Sequence, residues 1–372
     1  MTADTVRVGI IGANPDRGWA ARAHIPALRA LPDFEITAVG TSREASAREA
    51  ARRFGVLHAF TDPRRLAAHP EVDLVVITVK VPFHFELIQA ALDAGKHVYC
   101  EWPLARTTEE AAVLAGAARD AGVYATIGLQ ARHSPVIGYA RELIAGGYVG
   151  RVTAATIYAA RAKGAGGLLP TGFEYTVDRA NAAGTLEVAG GHTLDALEHL
   201  LGGITELSAG LSIRRSRQTV PETGETLEVT SPDQIVLHAT LAGGAVVSAH
   251  IHDAKATDGR TRFEITGTEG DLAIVSGAGG PGGIQMSELR LLGAQGVGGS
   301  WQELPAPDRY RWIPGAAHGI EVFNVAQTYA RIADDLRTGA RTTPDFDDGL
   351  RLHRLLDTVR LSAETGTRRS VP

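Results

Sequence analysis

A doubly wound parallel α/β domain, followed by an α+β domain with a largely antiparallel open sheet, is the fold class that this 372-residue sequence predicts. Three observations carry it. Between Val6 and Gly128 short unbroken apolar runs are separated by amphipathic stretches, beyond Gln130 apolar and polar residues alternate over longer segments, and Leu241-Ala-Gly-Gly-Ala245 joins two of those segments as a hairpin. Unbroken runs belong to strands covered on both faces, whereas alternation belongs to strands with one solvated face. The length suits two cores. The expected division is 1–128 and 129–372, with C-terminal helices that could return to the first domain.

The elements follow in order. First-domain strands are expected at Val6 to Ile11, Phe34 to Val39, Asp73 to Val79, His97 to Cys100 and Val123 to Gly128, with a helix around Ala20 to Ala30. Second-domain strands are expected at Arg151 to Ala162, Glu206 to Arg217, Asp233 to Leu241 and Ala245 to His252. Gly277 to Gly283 reads as a loop, and helices return at Gly319 to Gly339 and Asp348 to Gly366.

Composition narrows the function classes. A net charge of −5 supplies no basic surface for nucleic acid. The single cysteine, Cys100, excludes an internal disulfide, argues against a thiolate metal site and reads as a buried strand residue, which suits a reducing cytoplasm. The opening MTADTVRVGIIG enters a strand without a basic-then-apolar signal, and no apolar run reaches the roughly 20 residues of a membrane span. A cytoplasmic protein without a membrane partner is the expectation.

The first strand runs into Gly12-Ala13-Asn14-Pro15-Asp16-Arg17-Gly18-Trp19 and then a helix. A glycine turn there lets backbone amides and the helix N-terminus meet a pyrophosphate, which predicts a dinucleotide site of the Rossmann kind. The pattern departs from G-x-G-x-x-G: the loop is longer and Asn14 stands at the second glycine, where it is expected to tolerate a positive φ. At the end of the second strand, Ser42 and Arg43 replace the acidic residue that would hold an NAD ribose. Hydroxyl and guanidinium groups suit a 2′-phosphate, so NADP is favoured over NAD.

A wider pattern then becomes visible. The stretch Ile77 to His84, the run Ala94-Gly95-Lys96-His97-Val98-Tyr99-Cys100-Glu101-Trp102-Pro103-Leu104-Ala105, and Gly184-Thr185-Leu186-Glu187-Val188-Ala189-Gly190-Gly191-His192-Thr193-Leu194-Asp195 resemble the glucose-fructose oxidoreductase, inositol dehydrogenase and MocA family over nearly the whole chain. The resemblance implies an NAD or NADP cofactor, touched also by Trp19, His24, Thr78, Pro82, His84, Glu101 and Trp102. It further implies a carbohydrate-like substrate and a homo-oligomer paired through the second sheet. In its dehydrogenases a lysine orients the substrate oxygen and an aspartate and histidine four residues apart complete the site. Here those positions are Trp102, Val188 and His192. With Trp19 and His24, the E-W-P run is similar to the galactose-regulon repressor-like subgroup, whose fungal member is a regulator.

Candidate chemistry rests on a few side chains. His192, near the start of an apolar helix, suits a general base at an ordinary pKa near 6.5; its bland alternative is a core histidine held by Asp195. Lys80 could fill the place of the missing lysine, Glu187 neighbours the vacant aspartate position, and Tyr175 could offer a phenol as acid or sugar contact. Trp102 is either a platform for a sugar ring or a filler of lost volume. His250 and His252 share a strand face with zinc-like spacing but lack adjacent ligands, so strand or substrate contacts are expected and no metal. An NAD(P)-dependent oxidoreductase acting on a sugar or polyol carbinol is the leading expectation. The alternatives are a non-catalytic dinucleotide-binding regulator and an NAD-assisted lyase or glycosidase.

Overall fold

The computed structural model describes residues 5–277, 282–313 and 319–372. The chain divides into two compact units, Met1–Gln130 with Trp312–Arg351, and Ala131–Arg311 with Leu352–Pro372. The sequence-based division at 128 and 129 groups residues 312–351 with the second domain.

Six parallel strands organise the first unit: β1 (Val6–Ile11), β2 (Phe34–Gly40), β3 (His58–Phe60), β4 (Leu74–Ile77), β5 (His97–Glu101) and β6 (Ala125–Gly128). Their order, β3-β2-β1-β4-β5-β6, reverses direction between β1 and β4, which opens a crevice at the carboxyl ends of those strands. Every residue of β4 is buried, as its unbroken Leu-Val-Val-Ile run requires. This strand is shorter than the expected Asp73 to Val79, although the Asp73 amide still donates to the Arg7 carbonyl at 2.8 Å and its carboxylate forms a bidentate ion pair with Arg7 at 2.7 and 2.9 Å. The three-residue edge strand β3 has no counterpart among the expected elements. Helices α1 (Ile25–Arg29), α2 (Glu44–Arg53), α3 (Pro63–Ala67), α4 (His84–Asp93) and α5 (Thr108–Ala121) supply the crossovers. Helix Ile320–Thr338 belongs here because Val322, Val325, Ala326, Tyr329 and Ile332 pack into the same core as Val8, Ile10, Leu28 and Tyr99.

The second unit carries the remaining strands, β7 (Val152–Ala160), β8 (Ile204–Ser212), β9 (Arg217–Thr219), β10 (Thr226–Glu228), β11 (Gln234–Leu241), β12 (Val246–His252), β13 (Arg260–Gly267), β14 (Gly270–Ser276), β15 (Leu289–Gln295), β16 (Gln302–Glu303) and β17 (Arg369–Ser370). Nine form one sheet, β16-β15-β14-β13-β7-β12-β11-β8-β17, in which only β7 and β12 pair in parallel. Buried and exposed positions alternate along β11 and β12, so one face is solvated as expected. The hairpin between them is present. The segment Glu206 to Arg217, expected as one strand, is broken: the Asp233 carboxylate accepts the backbone amides of Arg214 and Arg215 at 2.9 and 3.0 Å, and the chain leaves the sheet to form a β9-β10 ribbon. The expected loop at Gly277 to Gly283 lies largely outside the described residues. None of the described helices is long and apolar enough to cross a membrane.

Helix α6 (Pro135–Ala145) and helix α7 (Gly191–Leu201) pack against each other. Just before α6, Arg132 reaches Asp195 of α7 through bonds of 2.5 and 3.0 Å, with the carboxylate almost wholly buried. Removing one partner of such a pair strands the other charge away from water. Asp195→Ala is therefore expected to destabilise the protein by about 3–5 kcal/mol, read as a lower urea midpoint at unchanged slope; a loss within error of zero would contradict this packing account.

Candidate functional site

The turn after β1 is dictated by space. Gly12 has φ +99°, and a Cβ there would sit 2.8 Å from Thr78 Oγ1 and 2.9 Å from Val79 Cγ1, so only glycine lets the turn lie against the end of β4. Thr78 reinforces the approach by donating its hydroxyl to the Ile11 carbonyl at 2.9 Å. Asn14 works differently from the expectation: its φ is not positive, and its Oδ1 accepts the amides of Asp16 and Arg17 at 2.9 and 3.2 Å. Positive φ falls on Gly12 and Gly18 instead. With Asp16 and Arg17 amides engaged, the donors a pyrophosphate would meet are the first amides of the next helix, a π-helical turn at Ala20–His24, which a helix N-terminus leaves without intrahelical partners. Trp19 caps that turn, and its indole N–H is buried without a protein acceptor.

Around this turn the other expected residues fall into two groups. Ser42 and Arg43 are exposed at the end of β2, where Arg43 caps α2. Pro82 is half-buried in the turn before α4, and Lys80 is exposed at its start. His24, by contrast, is fully buried, with Nδ1 2.7 Å from Tyr329 Oη and Nε2 3.0 Å from Glu101 Oε1. Gly128 makes room for the Glu101 carboxylate, which a Cβ there would meet at 2.8 Å. His84 is also buried, its ring nitrogens facing the carbonyls of Pro103 at 2.8 Å and Val79 at 3.1 Å, and burial lowers its pKa. Cys100 is buried in β5, as expected, and Trp102 is buried beside it.

In the second unit the parallel pairing of β7 with β12 sets Ala160 against His252, so both strands end on one edge. The next residues there, Arg161 and Asp253, form a buried bidentate pair at 2.5 Å, and Thr185 donates its hydroxyl to the same carboxylate at 2.9 Å. Despite its burial, Asp253 stays below the usual carboxylate range because Arg161 stands beside it. Lys163, two residues on, is pushed down to about 8 by burial, with Asp253 partly opposing the shift. It helps to line a cavity of about 20 Å³, room for one water molecule, together with Thr185, Arg215, Gln218, Ser231 and Asp253. Ser231 Oγ and Gln218 Oε1 are buried in that wall with no protein partner.

His192 lies where a second π-helical turn, Leu186–Gly190, joins α7. The expected pKa near 6.5 does not hold: burial first, and the Arg161 charge second, push it down to about 3. Its Nδ1 is buried without a partner. Asp195 does not hold it in the way the bland reading supposed, since that carboxylate pairs with Arg132. Glu187 turns to the Gly184 amide at 3.0 Å and to Arg360 at 2.8 Å. Tyr175 is half-buried in the turn Glu174–Val177, and burial raises its phenol pKa. His250 and His252 are engaged in the sheet, with Gln234 at 3.0 Å and Tyr158 at 3.2 Å respectively. Sequence reasoning missed Arg161, Lys163 and Asp253. Their signal was charge placed directly after two strands, which points to a site only once those strands are known to run in parallel.

Comparison with known proteins adds identity to this geometry. Residues 6–129 match the oxidoreductase family with NAD-binding Rossmann fold, and residues 135–276 match the Gal80p C-terminal domain. A dehydrogenase of Aspergillus oryzae, aclE, is 32% identical over 72% of this chain and 76% of its own length. Levoglucosan dehydrogenase of Pseudarthrobacter phenanthrenivorans is 27% identical over 72% of this chain and 73% of its own. The crystal structure of a super-repressor mutant of Gal80p from Saccharomyces cerevisiae superposes with a TM-score of 0.87 at 25% identity, covering 99% of this chain and 98% of that one. A glycine-bound turn at the end of β1, a sheet that reverses at β4 and these matches agree: the chain belongs to the oxidoreductase family with an NAD-binding Rossmann fold.

Proposed function

We propose that the protein is an NAD(P)-dependent oxidoreductase that oxidises a carbinol of a sugar, polyol or related carbohydrate. The observation that carries the reading is the match of residues 6–129 to an NAD-binding oxidoreductase family. Ser231 Oγ and Gln218 Oε1 face a cavity with room for one water molecule, which is enough to satisfy both. Named relatives that are dehydrogenases, one of them for levoglucosan, support the carbohydrate class.

For the cofactor, the residues present fit. The Gly12 turn, the helix-initiating amides after Gly18 and the orphaned Trp19 indole would hold a pyrophosphate and its neighbours, and Thr78, Pro82 and Trp102 would border the remainder. His24 and His84 act as positioning residues in this reading, since their ring nitrogens already face Glu101, Tyr329 and backbone carbonyls. Bound nicotinamide supplies the hydride acceptor. Exposed Ser42 and Arg43 favour the 2′-phosphate of NADP. Lys80 and Tyr175 remain candidate substrate contacts.

The proton is assigned to a different group from the one the sequence suggests. An imidazole held near 3 is neutral and weakly basic, so His192 accepts or donates a hydrogen bond to the substrate through Nδ1 and orients it. Lys163, held near 8, is partly unprotonated at mildly alkaline pH and can take the carbinol proton as hydride leaves the carbon. Because Lys163 works as the free amine, activity rises with pH through about 8.

A second reading has its own support. Trp102 replaces the family lysine, and residues 135–276 match a domain of a galactose-regulon repressor. A dinucleotide-dependent regulator would bind the cofactor and turn nothing over.

Two experiments test the proposal. With a panel of sugars and polyols, absorbance at the reduced-nicotinamide band should rise, His192→Ala should lose most of kcat/KM, and Lys163→Met should remove the ascending limb near pH 8. Tight cofactor binding with no turnover across the panel would favour the regulator, and an unchanged limb in Lys163→Met would reject the proton assignment. Separately, Arg43→Ala should weaken NADP binding roughly ten- to a hundredfold, since a hydrogen bond to a charged group contributes roughly 1.5–3 kcal/mol, and leave NAD binding unchanged. Equal effects on both cofactors would reject the 2′-phosphate contact.

A further inference from the structure

We propose that His58, His69 and Glu71 form a binding site for a zinc-class divalent transition metal at the edge of the first unit's parallel sheet. His58 lies on the edge strand β3, and His69 and Glu71 lie in the short connection between α3 and β4. One ligand atom from each side chain falls within 4.8 Å of the others. The His58 and His69 rings are 4.1 Å apart between centroids, and His58 Nε2 is 2.6 Å from Glu71 Oε2.

Two imidazoles and one carboxylate are a donor set suited to zinc, with the fourth tetrahedral position left to water. Zinc–ligand distances of roughly 2.0–2.2 Å place tetrahedral donors a little over 3 Å apart. The cluster therefore needs only a modest contraction, and its partly exposed side chains have the freedom to make it. The connection itself is held: Lys96 Nζ donates to the carbonyls of His69 and Val72 at 3.3 and 2.7 Å, and Thr37 donates its hydroxyl to the Glu71 carbonyl at 2.5 Å. The Glu71 amide donates to His69 Nδ1 over 3.2 Å; ligation through that nitrogen would release an exposed amide to solvent at little cost. Bound metal would clip β3, the shortest strand of its sheet, to the residues that lead into β4. The pair singled out by spacing, His250 and His252, is a poorer candidate. Its nitrogens already meet Gln234, Tyr158 and the Ala254 amide, and no third donor joins it among the described residues.

Calorimetry and thermal unfolding with zinc ion alone, added to the full-length protein in a buffer that does not chelate, test the site. Zinc should bind one-to-one and raise the unfolding temperature, and magnesium, which prefers oxygen donors, should not compete. His69→Ala leaves the His58–Glu71 pair in place and should weaken zinc by roughly tenfold or more, whereas His250→Ala should change nothing. If His69→Ala already melts lower without metal, His58→Gln replaces it with the same expected loss. Absence of binding, binding that survives loss of either His58 or His69, or binding lost with His250→Ala would overturn the proposal.

Discussion

The close approach at Gly12 is the constraint on which the first unit's site depends. Because no Cβ fits between the turn and Thr78, the chain leaving β1 lies directly on the end of β4, and the next helix begins at the reversal point of the sheet. Other strand ends are tied to the same place by polar contacts. His84 faces carbonyls on both sides, at Val79 after β4 and at Pro103 after β5, and His24 fixes the Glu101 carboxylate that Gly128 admits. These buried contacts tie the strand ends around the turn to one another, and a backbone-amide site needs a fixed backbone.

In the second unit a single parallel pairing has the corresponding effect. Joining β7 to β12 side by side puts Arg161 next to Asp253, and that ion pair governs the groups around it. It keeps a buried carboxylate ionised, helps to depress His192 and surrounds Lys163 with charges of both signs. In the proposed function the proton-accepting role falls to Lys163 and not to His192, the residue that the family pattern highlights.

Much of this was legible in the residues. Unbroken apolar runs identified five of the six parallel strands, and alternation identified the half-solvated sheet, because both patterns follow from which faces are covered. The missed strand, β3, is too short to show a period. The break at Arg214 was hidden because the carboxylate that causes it, Asp233, lies far along the chain. The glycine turn was readable at Gly12, but the role of Asn14 was not, since a side-chain bond to Asp16 and Arg17 leaves no mark on residue spacing. Depression of His192 and the gathering of His58, His69 and Glu71 arise from tertiary placement alone. Spacing drew attention to His250 and His252 instead.

The central claim is that the tight turn at Gly12 holds a dinucleotide. Isothermal titration of the protein with NADP and with NAD, alongside Gly12→Ala, tests it most directly. The account predicts one-to-one binding to the unaltered protein and loss of that binding in Gly12→Ala, with cooperative thermal unfolding preserved. Equal binding by both proteins, or no binding by either, would contradict it.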